Sequence, residues 1–174
     1  MKKAYGFTLI ELRVLLAVVA ILTTIAVPDF SATIKNDRDI SQINTLLTGL
    51  MLARSEAIKS GTPVTICATS NDVACSSAWT AGWMVYYNSP PPGASTVVIR
   101  VFPALNSGNT LTSSGGNTFT FNASGMTGTA STFTLCDARG ASYARSIDLA
   151  LTGRAEAASK VGYQVDGTTT LTCP

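Results

Sequence analysis

The chain of 174 residues carries 12 Lys and Arg against 10 Asp and Glu, has no His and 4 Cys, and is 46% apolar. Without His there is no Ser-His-Asp or Cys-His pair, no imidazole acid or base and no His-bearing zinc site. The carboxylates are widely spread, so neither an enzyme nor a resident cofactor or metal is expected. A net charge of +2 is too small to hold a polyanion by bulk charge, and any nucleic-acid role would need a local basic patch.

The chain opens with a short basic stretch containing Lys2 and Lys3. From Phe7 to Val27, 16 of 21 residues are apolar, against 61 of the 147 that follow. Twenty-one helical residues reach roughly 31 Å, enough to cross a bilayer core. Beyond the apolar run come Asp29, Asp37 and Asp39 among Lys35 and Arg38, so the positive-inside rule predicts a cytoplasmic N-terminus with the bulk outside. A secretory signal peptide cut near Ala26 is the competing account. The run is long for that, and Glu11 and Arg13 lie in its first third. A charge at the centre of a lipid-spanning helix costs roughly 2.5–3.5 kcal/mol and usually marks a partner. Glu11 and Arg13 fall on different helix faces and neutralise each other poorly. Arg13 can reach back to the headgroups, which leaves Glu11 to meet a positive group on another subunit.

The stretch Gly6-Phe7-Thr8-Leu9-Ile10-Glu11-Leu12 resembles the processing motif of type IV pilins and type II secretion pseudopilins. The resemblance implies that residues 1–6 are a leader removed by a prepilin peptidase after Gly6, and that Phe7 becomes an N-methylated terminus. It also implies that Glu11 attracts the N-terminal amine of a neighbouring subunit during assembly. Residues 7–27 would then be the transmembrane and filament-core helix. The protein would sit in the bacterial inner membrane with a periplasmic head before assembly, and in a pilus or pseudopilus with other major and minor pilins afterwards. Arg13 departs from the family pattern, which has an apolar residue there.

Pro28 is expected to kink the helix by removing one N–H and crowding the preceding turn. Residues 28–60 keep a helical rhythm, with Ile40, Ile43, Leu47, Leu50 and Ile58 at spacings that suit one apolar face. Ser60-Gly61-Thr62-Pro63 ends it. A continuous helix from 7 to about 59 would measure roughly 80 Å. Residues 61–174 read as a β-rich head, with strands expected at 64–68, 82–87, 96–102, 118–121, 132–136, 146–151 and 161–165. Asn88 to Ala94 and Asn106 to Asn117 read as loops. The predicted fold is α+β, a long N-terminal helix packed on an antiparallel sheet or small sandwich.

All four cysteines lie in this head, where export favours disulfides, and four cysteines permit three pairings. The pairing Cys67–Cys75 with Cys136–Cys173 is favoured partly by resemblance, because pilin heads commonly close with a C-terminal disulfide. A zinc ion held by four thiolates is the alternative.

Leu52-Ala53-Arg54-Ser55-Glu56-Ala57-Ile58, followed by a Thr-rich strand and Gly82-Trp83, resembles the GspH/FimT/FimU subfamily of minor pilins and pseudopilins. Trp79 and Trp83 are expected in the core, and Arg54 and Glu56 on a solvated or ion-paired helix face. The resemblance implies a minor pilin that takes part in assembly or priming at a pilus tip, serving twitching, adhesion or DNA uptake. The alternatives are a DNA-binding minor pilin of natural transformation and a type II secretion pseudopilin. FimT-like proteins are implicated in DNA uptake through a Gly-Arg-x-Arg motif; Gly153-Arg154-Ala155-Glu156 stands here, with a carboxylate in place of the second Arg. A folded cluster of Arg139, Arg145, Arg154 and Lys160 remains the candidate DNA site, against the nearby acids Asp137, Asp148, Glu156 and Asp166.

Overall fold

The computed structural model describes residues 6–88, 97–106 and 108–174, with 24–29 described by backbone alone. The expected loop from Asn88 to Ala94 and the start of the strand expected at 96 therefore lie largely outside the described residues. Two compact units are present, Met1–Arg38 and Asp39–Pro174.

A long α-helix, α1, spans Leu9–Ser60. At its start the Thr8 hydroxyl accepts the Glu11 N–H at 3.3 Å, and the Thr8 N–H donates to the Glu11 carboxylate at 3.4 Å. This reciprocal pair satisfies two amides that a helix start leaves open, as a capping box does. The backbone stays helical through position 28. Gly61, at φ 64°, follows the last turn in the left-handed conformation that ends many helices.

In the second unit α1 buries Asp39, Ile43, Leu46, Leu50, Ala53 and Ala57. Their spacings of four and three make one stripe along the helix. The face expected from Ile40, Ile43, Leu47, Leu50 and Ile58 is thus corrected: Ile43 and Leu50 are buried, Leu47 is half-buried, and Ile40 and Ile58 are exposed. The reason is close approach. Gly49 lies so near Trp83 that an added Cβ would stand 2.9 Å from the indole nitrogen, so small residues, not large ones, face the strands toward the helix end.

Among the described residues, eight strands form two antiparallel four-stranded sheets. Strands β1 (Val64–Ala68), β2 (Trp83–Tyr87), β3 (Val98–Phe102) and β5 (Thr118–Phe121) lie in the order β3-β2-β1-β5; β4 (Thr110–Ser113), β6 (Ser131–Cys136), β7 (Arg145–Leu149) and β8 (Ala155–Ala157) lie in the order β4-β6-β7-β8. Two expectations are corrected. The expected loop from Asn106 to Asn117 contains β4, whose lone large apolar residue, Leu111, is buried through pairing with β6. The expected strand at 161–165 is a turn segment, because Gly162 takes φ 80° and Tyr163 meets only Thr170 in an isolated bridge.

One core joins the α1 stripe to both sheets, with Val64, Ile66, Val85 and Phe121 from the first and Phe133, Leu135, Ile147 and Leu149 from the second. Aromatic rings link the sheets, with Trp79 meeting Phe133 edge-on at 5.1 Å and Phe119 at 6.0 Å, while within the first sheet Trp83 stacks on Phe102 at 5.6 Å. Such pairs add to the area they bury by about 0.5–1.5 kcal/mol each. The Trp79 N–H donates to the Gly116 carbonyl at 3.1 Å. Disulfides join Cys67 to Cys75 and Cys136 to Cys173.

Candidate functional site

Two places carry the residues singled out by sequence, and the fold brings out a third. The first is the exposed start of α1. Phe7, Leu9, Ile10, Leu12, Val14, Leu15 and Leu16 are all exposed, so this stretch buries none of its large apolar side chains within the chain. Contiguous apolar surface of this kind marks an interaction site. Glu11 engages Thr8 here and Gly6 stands just outside the helix. Among the described residues no helix is long and apolar enough to cross a membrane. The span expected over 7–27 runs into residues 24–27, whose side chains lie outside the described ones, as does the Pro28 ring.

The second is the basic set. Arg139 does not stand at the surface. Its side chain, 16% exposed, reaches Asp39 at 2.9 Å and Asp137 at 2.5 Å, and its guanidinium lies 4.4 Å over the Tyr143 ring. Lys160 lies 3.5 Å over the Tyr163 ring, and Arg145 is half-buried at the start of β7. Lys160 sits at that same end, since the residues around it bond back to Ser146 and Ala144. Arg154 belongs to the other end, in the turn between β7 and β8. The four strand steps from Arg145 to Leu149 separate the ends by about 13 Å. The structure therefore does not gather the four cations into one patch.

Gly153 explains the shape of that turn. It is buried at φ 73°, and a Cβ there would overlap the Gly125 carbonyl oxygen. The glycine lets the β7–β8 turn seat on the turn after β5 and leaves Arg154 projecting, 70% exposed. Arg154 pairs with Glu156 at 2.9 Å. Both border an open cleft of about 550 Å³ that Asp148, Thr132 and Ser114 also line. Two carboxylates against one guanidinium make this a poor seat for phosphate.

The third was not singled out by sequence. Asp39, 3% exposed, ends the buried stripe of α1. Its carboxylate accepts the Asn109 amide at 2.7 Å and the Arg139 guanidinium at 2.9 Å, and the same Asn109 amide donates to Gln42 at 2.6 Å. Burial pushes the Asp39 carboxyl above its ordinary value; the Asn109 hydrogen bond opposes this, the Asp137 charge adds to it, and Arg139 opposes it. Burial works the same way on Asp137, yet the Arg139 backbone N–H and guanidinium outweigh it and hold that carboxyl low. The signal in the sequence was an acid at a position of the 3.5-residue repeat that faces the core.

On the remaining helix face, Glu56 accepts the Tyr87 hydroxyl at 2.9 Å, which raises the Tyr87 phenol, and meets Lys59 at 3.5 Å. Arg54 is half-buried beside Gly125.

The family model described as Type II transport protein GspH matches residues 42–153. The chain belongs to the GspH family. The match starts at Gln42, beyond the apolar half of α1, and ends at Gly153, just before Arg154. The solved structure of the type IV minor pilin FimU from Pseudomonas aeruginosa is similar at 21% identity, with a TM-score of 0.58 over 71% of this chain and 90% of that one. The minor pseudopilin EpsH from the type 2 secretion system of Vibrio cholerae is similar at 14% identity, with a TM-score of 0.50 over 69% of this chain and 95% of that one. No protein of curated function matches the chain. This GspH-family member has the pilin α+β fold, a long helix with its second part packed on antiparallel sheets. By its description that family is one of type II transport proteins, and the two solved structures that share the fold are a minor pilin and a minor pseudopilin.

Proposed function

We propose that this protein is a minor type IV pilin, inserted in the inner membrane through residues 7–27 and then drawn into a filament, where it takes part in assembly or priming at the tip. The observation that carries this reading is the start of α1, where large apolar residues surround the helix without burial and Glu11 stands among them. Such a surface gains free energy only in lipid or against other helices. In that low dielectric a carboxylate is strongly favoured beside an ammonium, which would set the register of otherwise sliding helices. Gly6 is the cleavage residue on this reading, Phe7 the methylated terminus, Glu11 the assembly carboxylate, and the prepilin peptidase the first partner.

A type II secretion pseudopilin of the same build is the second reading, supported by the description of the matched family model. Direct DNA binding is less well supported, because Arg139 is taken up inside the head and Arg154 is paired with Glu156.

Intact-mass measurement of the chain from cells with and without prepilin peptidase tests the proposal. The expected result is loss of residues 1–6 and gain of one methyl group only where the peptidase is present. An unprocessed terminus in those cells, or a cut near Ala26, overturns it.

A further inference from the structure

We propose that Asp39 and Asp137, held together by the Arg139 guanidinium, form a proton-binding site that tightens the joint between α1 and the end of β6 in mild acid. Asp39 is 3% exposed, and the Asp137 and Arg139 side chains are 6% and 16% exposed. Two carboxylates facing one guanidinium leave a surplus negative charge in a place that water hardly reaches, and burying an uncompensated charge is costly. The groups facing Asp39 do not balance it. Asn109, from the turn before β4, and Gln42, on α1 itself, are neutral. Asp137 adds negative charge from the connection after β6, and Arg139 supplies one positive charge and is itself covered by Tyr143. The charged neighbours on the preceding turn of α1, Lys35, Asp37 and Arg38, are exposed and solvated.

Uptake of one proton from solvent onto the Asp39 carboxylate removes the surplus. Arg139 stays charged and opposite Asp137, which its own N–H and guanidinium already hold in the ionised form. A neutral Asp39 no longer repels the Asp137 carboxylate. Because burial raises the Asp39 carboxyl, the folded chain binds this proton more tightly than the unfolded chain. Stability is therefore gained as pH falls through the raised Asp39 value and lost as pH rises above it. Asp137 has the opposite sign, and its contribution disappears only below the ordinary carboxylate range. The joint matters because Cys136, immediately before Asp137, carries the disulfide to Cys173. One cluster thus pins both the helix and the C-terminal segment.

The test is the melting temperature of the full chain in detergent micelles, followed by far-ultraviolet circular dichroism from neutral pH downward. The wild-type chain is expected to gain about 2–4 °C as pH falls toward the ordinary carboxylate range, then to lose stability below it. Asp39→Asn is expected to abolish the gain while melting at least as high as wild type at neutral pH. A wild-type profile that only falls on acidification overturns the proposal, as does a gain that survives in Asp39→Asn. If Asp39→Asn does not fold, Asp137→Asn serves, since it also leaves one carboxylate per guanidinium. There the gain should shrink, because burial still acts on Asp39, and an undiminished gain overturns the proposal.

Discussion

Residues 9–23 and 39–60 of α1 are helical for different reasons. The early segment carries exposed large apolar residues around the helix, interrupted by Glu11 and Arg13, with a capping box as its own local support. The later one carries a narrow buried stripe whose neighbours come from both sheets. An isolated helix gains little from propensity alone, and most helical stability in proteins comes from packing. The later segment obtains that packing inside its own chain. The early segment keeps its large apolar side chains exposed, which fits a subunit whose folding and assembly are done by different parts of one helix.

The largest loss of stability is expected at the ion cluster. Arg139→Ala leaves Asp39 and Asp137 facing each other in a buried place and is expected to cost about 3–5 kcal/mol, read by urea unfolding at neutral pH. Next comes a paired substitution along the helix. Leu50→Ala empties a fully buried position of the stripe and should cost about 2–5 kcal/mol. Leu16→Ala, 59% exposed, should change the unfolding of the head by less than about 0.5 kcal/mol while reducing incorporation into filaments. Equal effects on unfolding would dissolve the distinction between the two segments. The smallest effect belongs to the turn at Asp166, whose carboxyl is pulled down to about 2 by the Thr169 hydroxyl and the Thr169 and Thr168 amides. A carboxyl depressed in the folded state contributes stability above its unfolded value and loses it as pH falls from about 3.8 to about 2. Asp166→Asn should remove that part of the acid dependence and leave the gain ascribed to Asp39 untouched.

Elements with strong periodicity were readable in advance. Val64–Ala68 and Thr118–Phe121 have the bounds expected of them, and the helix ends within a residue of Ser60-Gly61, where polar turn chemistry follows a long apolar rhythm. The failures are equally local. Thr110–Ser113 offers a single large apolar residue in a run of Ser, Thr and Gly, so nothing in it competes with a loop until β6 lies alongside. Val161–Val165 alternates as a strand would, yet Gly162 adopts a conformation no strand uses. On α1 both Ile58 and Ala57 fit a helical face; that Ala57 is buried follows from how near the sheets approach.

The composition, the apolar start with Glu11 inside it, and the change to β-like runs after Pro63 are properties of the linear chain. They suffice for an α+β subunit with a helix that seeks neighbours, because periodicity and hydropathy act over a few residues at a time. Where each charge ends up is another matter. Arg139 lies one hundred residues from Asp39 and meets it only because the turn after β6 folds back on α1. Arg154 is held outward because two glycine turns seat on each other. Pairings of that kind rest on chain closure across long separations, and no local pattern of side chains encodes which acid a given cation will meet.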